Sequence, residues 1–313
     1  MPPRVPRPRR HRTTAPPLEN IVKFWAAAAF LETEQLIDLA PAVEAAGYHG
    51  ITVSDHIFFA QDMASKYPYT ADGAPFWDEN TAWPDPWVAI SAMAAVTKTL
   101  RFTTNIYVAP TRDLFTVAKQ VSTAAVISRG RVALGAAPGW CAEEYAQLGQ
   151  DFATRGRRLN EMIPALRTLW GGGMVEHHGE FYDFGPLQIA PVPAQPVPVF
   201  IGGDSDVALR RAARLGDGWV GNAYDVEDAE AMVARMHHHL KEAGRTADGF
   251  EMIIALTCAP DVGTYRRFED MGVTGLVCAP WAAQIHGVKR EGTDLETKVS
   301  ALEAFAERIV SKM

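Results

Sequence analysis

From Ile21 onward the chain alternates short, almost continuously apolar runs with longer stretches of helical period. The apolar runs fall at 21–30, 50–55, 100–108, 132–137, 197–202, 218–222, 250–259 and 275–279. Runs with little polar alternation describe strands covered on both faces, which is the condition of a parallel sheet. Helical patterns follow at 33–46, 85–97, 114–127, 141–147 with 154–169, 205–215, 226–243, 263–271 and 297–312. Eight strands, each followed by a helix, predict an α/β fold of the closed (β/α)8 barrel type. A doubly wound open sheet is the alternative. It fits less well, because Phe30-Leu-Glu-Thr after the first strand lacks the glycine fingerprint.

Two long connections interrupt the alternation. Segment 57–84 carries Phe58, Phe59, Tyr67, Tyr69, Phe76, Trp77 and Trp83. A connection this long and aromatic is expected to cover a site, or else to plug the barrel rim. Segment 171–196 contains a hairpin pattern around His178-Gly179, and the proline-rich run 190–198 leads on into the fifth strand.

In a (β/α)8 barrel chemistry collects where strands end, and four such ends carry polar or glycine-rich clusters. Asp55-His56 closes the second strand and offers a carboxylate beside an imidazole, suited to proton transfer near neutrality. Thr103-Thr-Asn-Ile-Tyr closes the third, where hydrogen-bonding residues within a buried run suggest a bulge beside a ligand. Val132-Ala-Leu-Gly-Ala-Ala-Pro-Gly-Trp closes the fourth: Pro138-Gly139 ends the strand and Gly139 lets a flat ligand approach the backbone. Glu143 and Glu144 then suit the positive end of the next helix. Gly202-Gly203-Asp204-Ser205 closes the fifth and leads into a helix, exposing N–H groups fit for phosphate, with Gly221-Asn222 of the sixth strand beside it.

Composition narrows the partners. With 313 residues, 48% hydrophobic and 21% charged, the chain has ample material for a barrel-sized core. A net charge of −7 opposes a general nucleic-acid surface, and no apolar run approaches the roughly 20 residues that cross a bilayer. Residues 1–19 read as a disordered basic tail, with Arg4, Arg7, Arg9, Arg10 and Arg12 among prolines, and 20–313 as one barrel domain. Cys141, Cys258 and Cys278 show no disulfide or metal spacing and suit a reducing cytoplasm. They read as small buried hydrophobes, although Cys141 sits at a helix start, where a thiol pKa can fall. His237-His-His239 point about 100° apart along a helix and read as an exposed face, so no metal is expected.

These stretches, in order, resemble the bacterial luciferase-like oxidoreductases, particularly the branch that uses the deazaflavin coenzyme F420. The resemblance covers about residues 20–280 and rests on Gly50-Ile-Thr-Val-Ser-Asp-His56, Arg129-Gly-Arg-Val-Ala-Leu-Gly135 with Pro-Gly-Trp140 and Glu-Glu-Tyr145, Arg155-Gly-Arg-Arg-Leu-Asn-Glu161, His178-Gly-Glu-Phe-Tyr182 and Ala212-Ala-Arg-Leu-Gly-Asp-Gly-Trp219. It implies a TIM barrel binding F420, or alternatively FMN, at the strand C-termini. Carried over, it makes His56 the catalytic residue, as proton donor or stabiliser of an intermediate, with Asp55 beside it near the ring and substrate. Asn105-Ile106 takes the position of a cis peptide that backs the ring. Pro138, Gly139 and Trp140 flank the ring and ribityl chain, and Gly203, Asp204, Ser205 and Asn222 surround the phosphate. Two departures stand out. Trp140-Cys141 replaces the acid of the sugar-phosphate dehydrogenases, which disfavours that substrate class. Asp204 replaces a common glycine and would repel phosphate unless it turns aside to cap the helix. The expected activity is cytoplasmic hydride transfer between F420 and a small apolar organic substrate, in a homodimer. The alternatives are an FMN-dependent monooxygenase and a flavin-binding barrel without turnover.

Overall fold

The computed structural model describes residues 22–282 and 294–313; the basic tail lies outside the described residues. Eight parallel strands close on themselves: β1 (Lys23–Ala27), β2 (Gly50–Val53), β3 (Arg101–Thr104), β4 (Val132–Ala136), β7 (Val199–Gly202), β8 (Gly218–Tyr224), β9 (Glu251–Leu256) and β10 (Gly275–Cys278). β5 (Val175–His178) and β6 (Asp183–Leu187) form the separate antiparallel hairpin expected around His178-Gly179. The surrounding helices are α1 (Leu36–Ala45), α2 (Pro86–Val96), α3 (Leu114–Ile127), α4 (Ala142–Gln147), α5 (Arg155–Trp170), α6 (Asp206–Leu215), α7 (Val226–Glu242), α8 (Val262–Asp270) and α9 (Leu295–Arg308). This is the (β/α)8 barrel.

Side-chain alternation builds two cores from each strand. In β1, Phe24 meets Tyr265 of α8 and Phe305 of α9 at 5.8 Å between ring centroids. Its neighbour Trp25 instead joins Ala133, Phe200, Val220 and Ile253 in a cluster of its own inside the barrel. Helix starts follow local chemistry: Asp85, Asp113, Asp225, Asp261 and Asp294 each accept backbone N–H groups of the first turn.

Arg131 and Glu161 of the motif stretches turn out to be scaffold, as does Arg211 just before the last of them. Arg131 is buried and donates to the carbonyls of Ala94 (2.7 Å), Leu100 (2.5 Å) and Ser128 (2.8 Å), tying the end of α2 to the entries of β3 and β4. Glu161 of α5 accepts the N–H groups of Glu180 (3.0 Å), Phe181 (3.0 Å) and Tyr182 (2.8 Å), so it holds the hairpin tip against the barrel wall. Arg211 of α6 donates to Asn160 Oδ1 at 2.6 Å, joining α5 to α6. The histidine run differs from expectation at two positions: His237 is half-buried with Nε2 2.8 Å from Met271 O, and His239 is buried between Asp206 and Glu242, each at 3.2 Å. Among the described residues no helix is long and apolar enough to cross a membrane.

Arg131→Met keeps much of the volume but strands several buried carbonyls. It should cost on the order of 3 kcal/mol, read as a lowered midpoint in chemical denaturation.

Candidate active site

The C-terminal ends of β2, β3, β4, β7 and β8 lie side by side. Asn105, Ile106, Pro138, Gly139, Trp140, Gly203, Asp204 and Asn222 all sit there and are partly exposed. The third strand is shorter than its apolar run suggests. It stops at Thr104, whose hydroxyl donates to Gly135 O at 2.7 Å, and the Asn105–Ile106 peptide that follows is cis. Ser54 Oγ donates to Asn105 O at 2.8 Å. Ile106 packs where a side chain on Gly202 would have to go, since a Cβ there would lie 2.6 Å from Ile106 Cγ2. The ends of β3 and β7 therefore interlock. Gly139 has φ +72°, and a Cβ there would meet Val108 Cγ1 at 2.5 Å. Its glycine is required by the neighbouring chain as well as by the left-handed backbone, not only by an approaching ligand.

His56 is the centre of the arrangement. Its Nδ1 lies 3.1 Å from Glu144 Oε1, and the same oxygen accepts the N–H of Ile57 at 2.8 Å. A carboxylate oxygen only accepts, so Nδ1 donates, and in the neutral ring Nε2 is then the nitrogen that carries the lone pair. Three indoles enclose the imidazole, with ring centroids of Trp77 and Trp83 at 5.1 Å and Trp140 at 5.8 Å. Trp83 Nε1 is buried there without a hydrogen-bond acceptor among the described residues.

The long connection 57–84 reaches across this mouth. Tyr67 meets Trp77 at 4.9 Å and Trp140 at 5.3 Å, while Trp83 meets Phe30 from the end of β1 at 5.0 Å. The connection is pinned by α4. Glu143 Oε1 accepts the N–H groups of Ala64 (2.7 Å) and Ser65 (3.0 Å), and Ser65 Oγ accepts the N–H of Ala142 at 2.9 Å. Burial alone would raise the Glu143 pKa, but the bonds from Ser65 and Ala64 outweigh it and hold the carboxyl at about 2. Sequence reasoning placed both glutamates in a first helical turn but missed their partners, because those lie 79 and 88 positions away in the chain.

Other expected residues take different partners. Asp55 is buried and its carboxylate is held by both terminal nitrogens of Arg112 (2.6 and 2.7 Å) and by the N–H of Val108 at 2.9 Å. It shapes the turn after Asn105-Ile106 through Arg112, a residue the sequence did not flag. Asp204 does not cap α6. Ser205 does, accepting the N–H of Ala208 at 3.3 Å, while Asp204 Oδ1 accepts the Tyr224 hydroxyl at 2.6 Å. Asn222 donates its backbone N–H to that same hydroxyl at 2.7 Å. Burial, then the bond from Tyr224 acting against it, leaves the Asp204 pKa raised, and the nearby Tyr69 phenol is raised by burial and by Asp204. Tyr69 thus brings the aromatic connection as far as the β7–β8 side. With Asp204 tied to Tyr224, the N–H groups of Gly203 through Val207 find no acceptor among the described residues, which leaves a turn of donors at a helix start. Cys141 is buried, as read from the sequence, and its place at a helix start does not lower the thiol: burial, together with Glu144 and Glu143, pushes it up to about 12.

Glu143→Ala should free the connection, seen as faster proteolysis within 57–84 without loss of the barrel's circular dichroism. In the unchanged protein the folded pKa is depressed, so this lock is complete above the ordinary carboxylate range and fails as the pH falls toward about 2. Hydrogen exchange of Ala64 and Ser65 across that window reads it directly.

The sequence model of the luciferase-like monooxygenases matches residues 20–264. An uncharacterised protein of Mycobacterium tuberculosis (strain H37Rv) is 37% identical over 292 residues, covering 93% of this chain and 100% of its own. An F420-dependent glucose-6-phosphate dehydrogenase of Gordonia bronchialis is 27% identical over 255 residues, covering 79% of this chain and 70% of its own. Among solved structures, the coenzyme F420-dependent tetrahydromethanopterin reductase of Methanopyrus kandleri superposes with a TM-score of 0.70 at 16% identity, covering 93% and 99% of the two chains. With the barrel, the strand-end cluster and the matched span in agreement, the chain belongs to the luciferase-like monooxygenase family of oxidoreductases.

Proposed function

We propose that this chain is an F420-dependent oxidoreductase acting on a small, apolar organic substrate held under the aromatic connection. The observation that carries the reading is the His56–Glu144 pair enclosed by Trp77, Trp83 and Trp140. A proton-transferring imidazole in a water-poor aromatic box suits substrates whose redox change moves a proton together with a hydride. When bound, F420 supplies the hydride exchange at its deazaflavin ring without activating oxygen.

The residues present fit such a group. The free N–H groups of 203–207 suit its phosphate, and Asp204 stays turned toward Tyr224. Asn105 and Ile106 would back the ring, Pro138, Gly139 and Trp140 would line its edge, and Asn222 would stand beside the phosphate turn. Asp55 acts through Arg112 as a positioning residue. His56 Nε2 holds or accepts the substrate's proton, and Glu144 fixes the tautomer that leaves that nitrogen available. The side chain is 13% exposed, enough for a small substrate to reach it and little enough to limit water. A sugar phosphate is disfavoured because Trp140-Cys141 stands where the resemblance places the acid of the sugar-phosphate dehydrogenases. The family's monooxygenases make FMN-dependent oxygenation the second reading.

Titration with both coenzymes, followed by absorbance and by mass of the complex, separates the two: F420 should bind and FMN should not. Tight FMN binding with no F420 binding reverses the assignment. His56→Ala should leave coenzyme affinity within about threefold while lowering turnover by about a hundredfold or more. Glu144→Gln should lower turnover less and move its pH profile. Unchanged turnover in His56→Ala removes the proton-transfer role. Failure of a broad panel of organic substrates to oxidise or reduce the bound coenzyme points instead to a carrier barrel.

A further inference from the structure

The opposite end of the barrel, where the strands begin, holds an open cavity of about 780 Å³. That is within the range of about 300–1,000 Å³ typical of small-molecule sites. It is an unusual feature at the end of a (β/α)8 barrel that ordinarily serves stability. Trp25 and Phe200 of the inner core form its apolar floor, and the proline-rich run before β7, from Val192 to Pro198, forms one wall.

Its charges are nearly, but not fully, balanced. Lys23 pairs with Glu251, and Arg167 pairs with Asp217 at 2.8 Å. Arg101, at the start of β3, has no carboxylate partner among the described residues, so the lining keeps one uncompensated guanidinium. His49 lies edge-on to Trp25 at 4.9 Å. Burial, then the charges of Lys23 and Arg101, lowers its pKa to about 4, so the imidazole is neutral at physiological pH and adds no charge of its own. An apolar floor beside a single unpaired guanidinium selects for a compact apolar body that carries an anion.

We infer that this cavity is a second binding site, separate from the coenzyme mouth, for a small apolar carboxylate whose hydrocarbon body fills the space above the floor and whose carboxylate pairs with Arg101. Occupancy engages the entries of β1, β3 and β7 together and so stabilises the closed barrel by mass action. None of the residues assigned to proton transfer or to the coenzyme takes part.

The test uses 2-naphthoate as probe and 2-naphthalenemethanol as its uncharged counterpart, by calorimetric titration and by shift of the unfolding temperature of the full chain. The expected result is saturable one-to-one binding of the carboxylate with Kd below about 1 mM. The alcohol should bind at least about tenfold more weakly. Arg101→Gln should weaken naphthoate by about tenfold or more, and Ala194→Trp, which fills the cavity from its exposed wall, should abolish binding. His56→Ala should leave it unchanged. Absence of saturable binding overturns the site. Equal affinity for the alcohol overturns the ionic assignment, and binding insensitive to Ala194→Trp, or lost in His56→Ala, places the probe elsewhere. Ala194→Trp alters only an exposed loop residue, so the test stands even if Arg101→Gln does not fold.

Discussion

The mouth of this barrel depends on two carboxylates in one short helix. Glu144 is 2% exposed, and a carboxylate so enclosed must be fully hydrogen-bonded or its desolvation goes unrepaid. It is repaid by the His56 ring and the Ile57 N–H, which obliges the chain to leave β2 in one direction. One residue earlier, Glu143 draws Ala64 and Ser65 to the same helix. With both ends of the 56–65 stretch fastened, the aromatic residues beyond it have nowhere to settle except over the imidazole. Ring orientation, lid placement and exclusion of water therefore share one cause.

The barrel itself was legible in the sequence because its signal is local. All eight strands and their following helices lie where the apolar runs and helical periods put them, and the hairpin sits at His178-Gly179. The differences have physical reasons. The run 100–108 reads as one strand, yet β3 ends at Thr104, because Ile106 and Val108 are apolar for packing against Gly202 and Gly139 rather than for the ladder. Residues 297–312 read as a helix beginning late, whereas Asp294 caps α9 three positions earlier.

The site was legible as an address rather than as a network. Strand-end positions such as His56, Trp140 and Gly203 could be named from their place after apolar runs. Their partners could not. Nothing local pairs Glu144 with His56, Arg112 with Asp55, or Tyr224 with Asp204, since each pairing exists only once the strands stand side by side. The motif residues show the complementary lesson: Arg131 and Glu161 carry part of the resemblance, yet they saturate carbonyls and a hairpin tip. Much of what makes the pattern recognisable is thus architecture, and only a few positions bear on chemistry.

The shared direction of the eight strands has one more effect. Every strand contributes its first residues to one rim and its last residues to the other, with Trp25, Ala133, Phe200, Val220 and Ile253 forming a solid septum between them. The residues assigned to the coenzyme mouth and those lining the opposite cavity do not overlap. Variation at either can accumulate under its own selection while the rest of the cylinder goes on folding as before, so such a chain can acquire a new specificity at one rim without first surrendering what it does at the other.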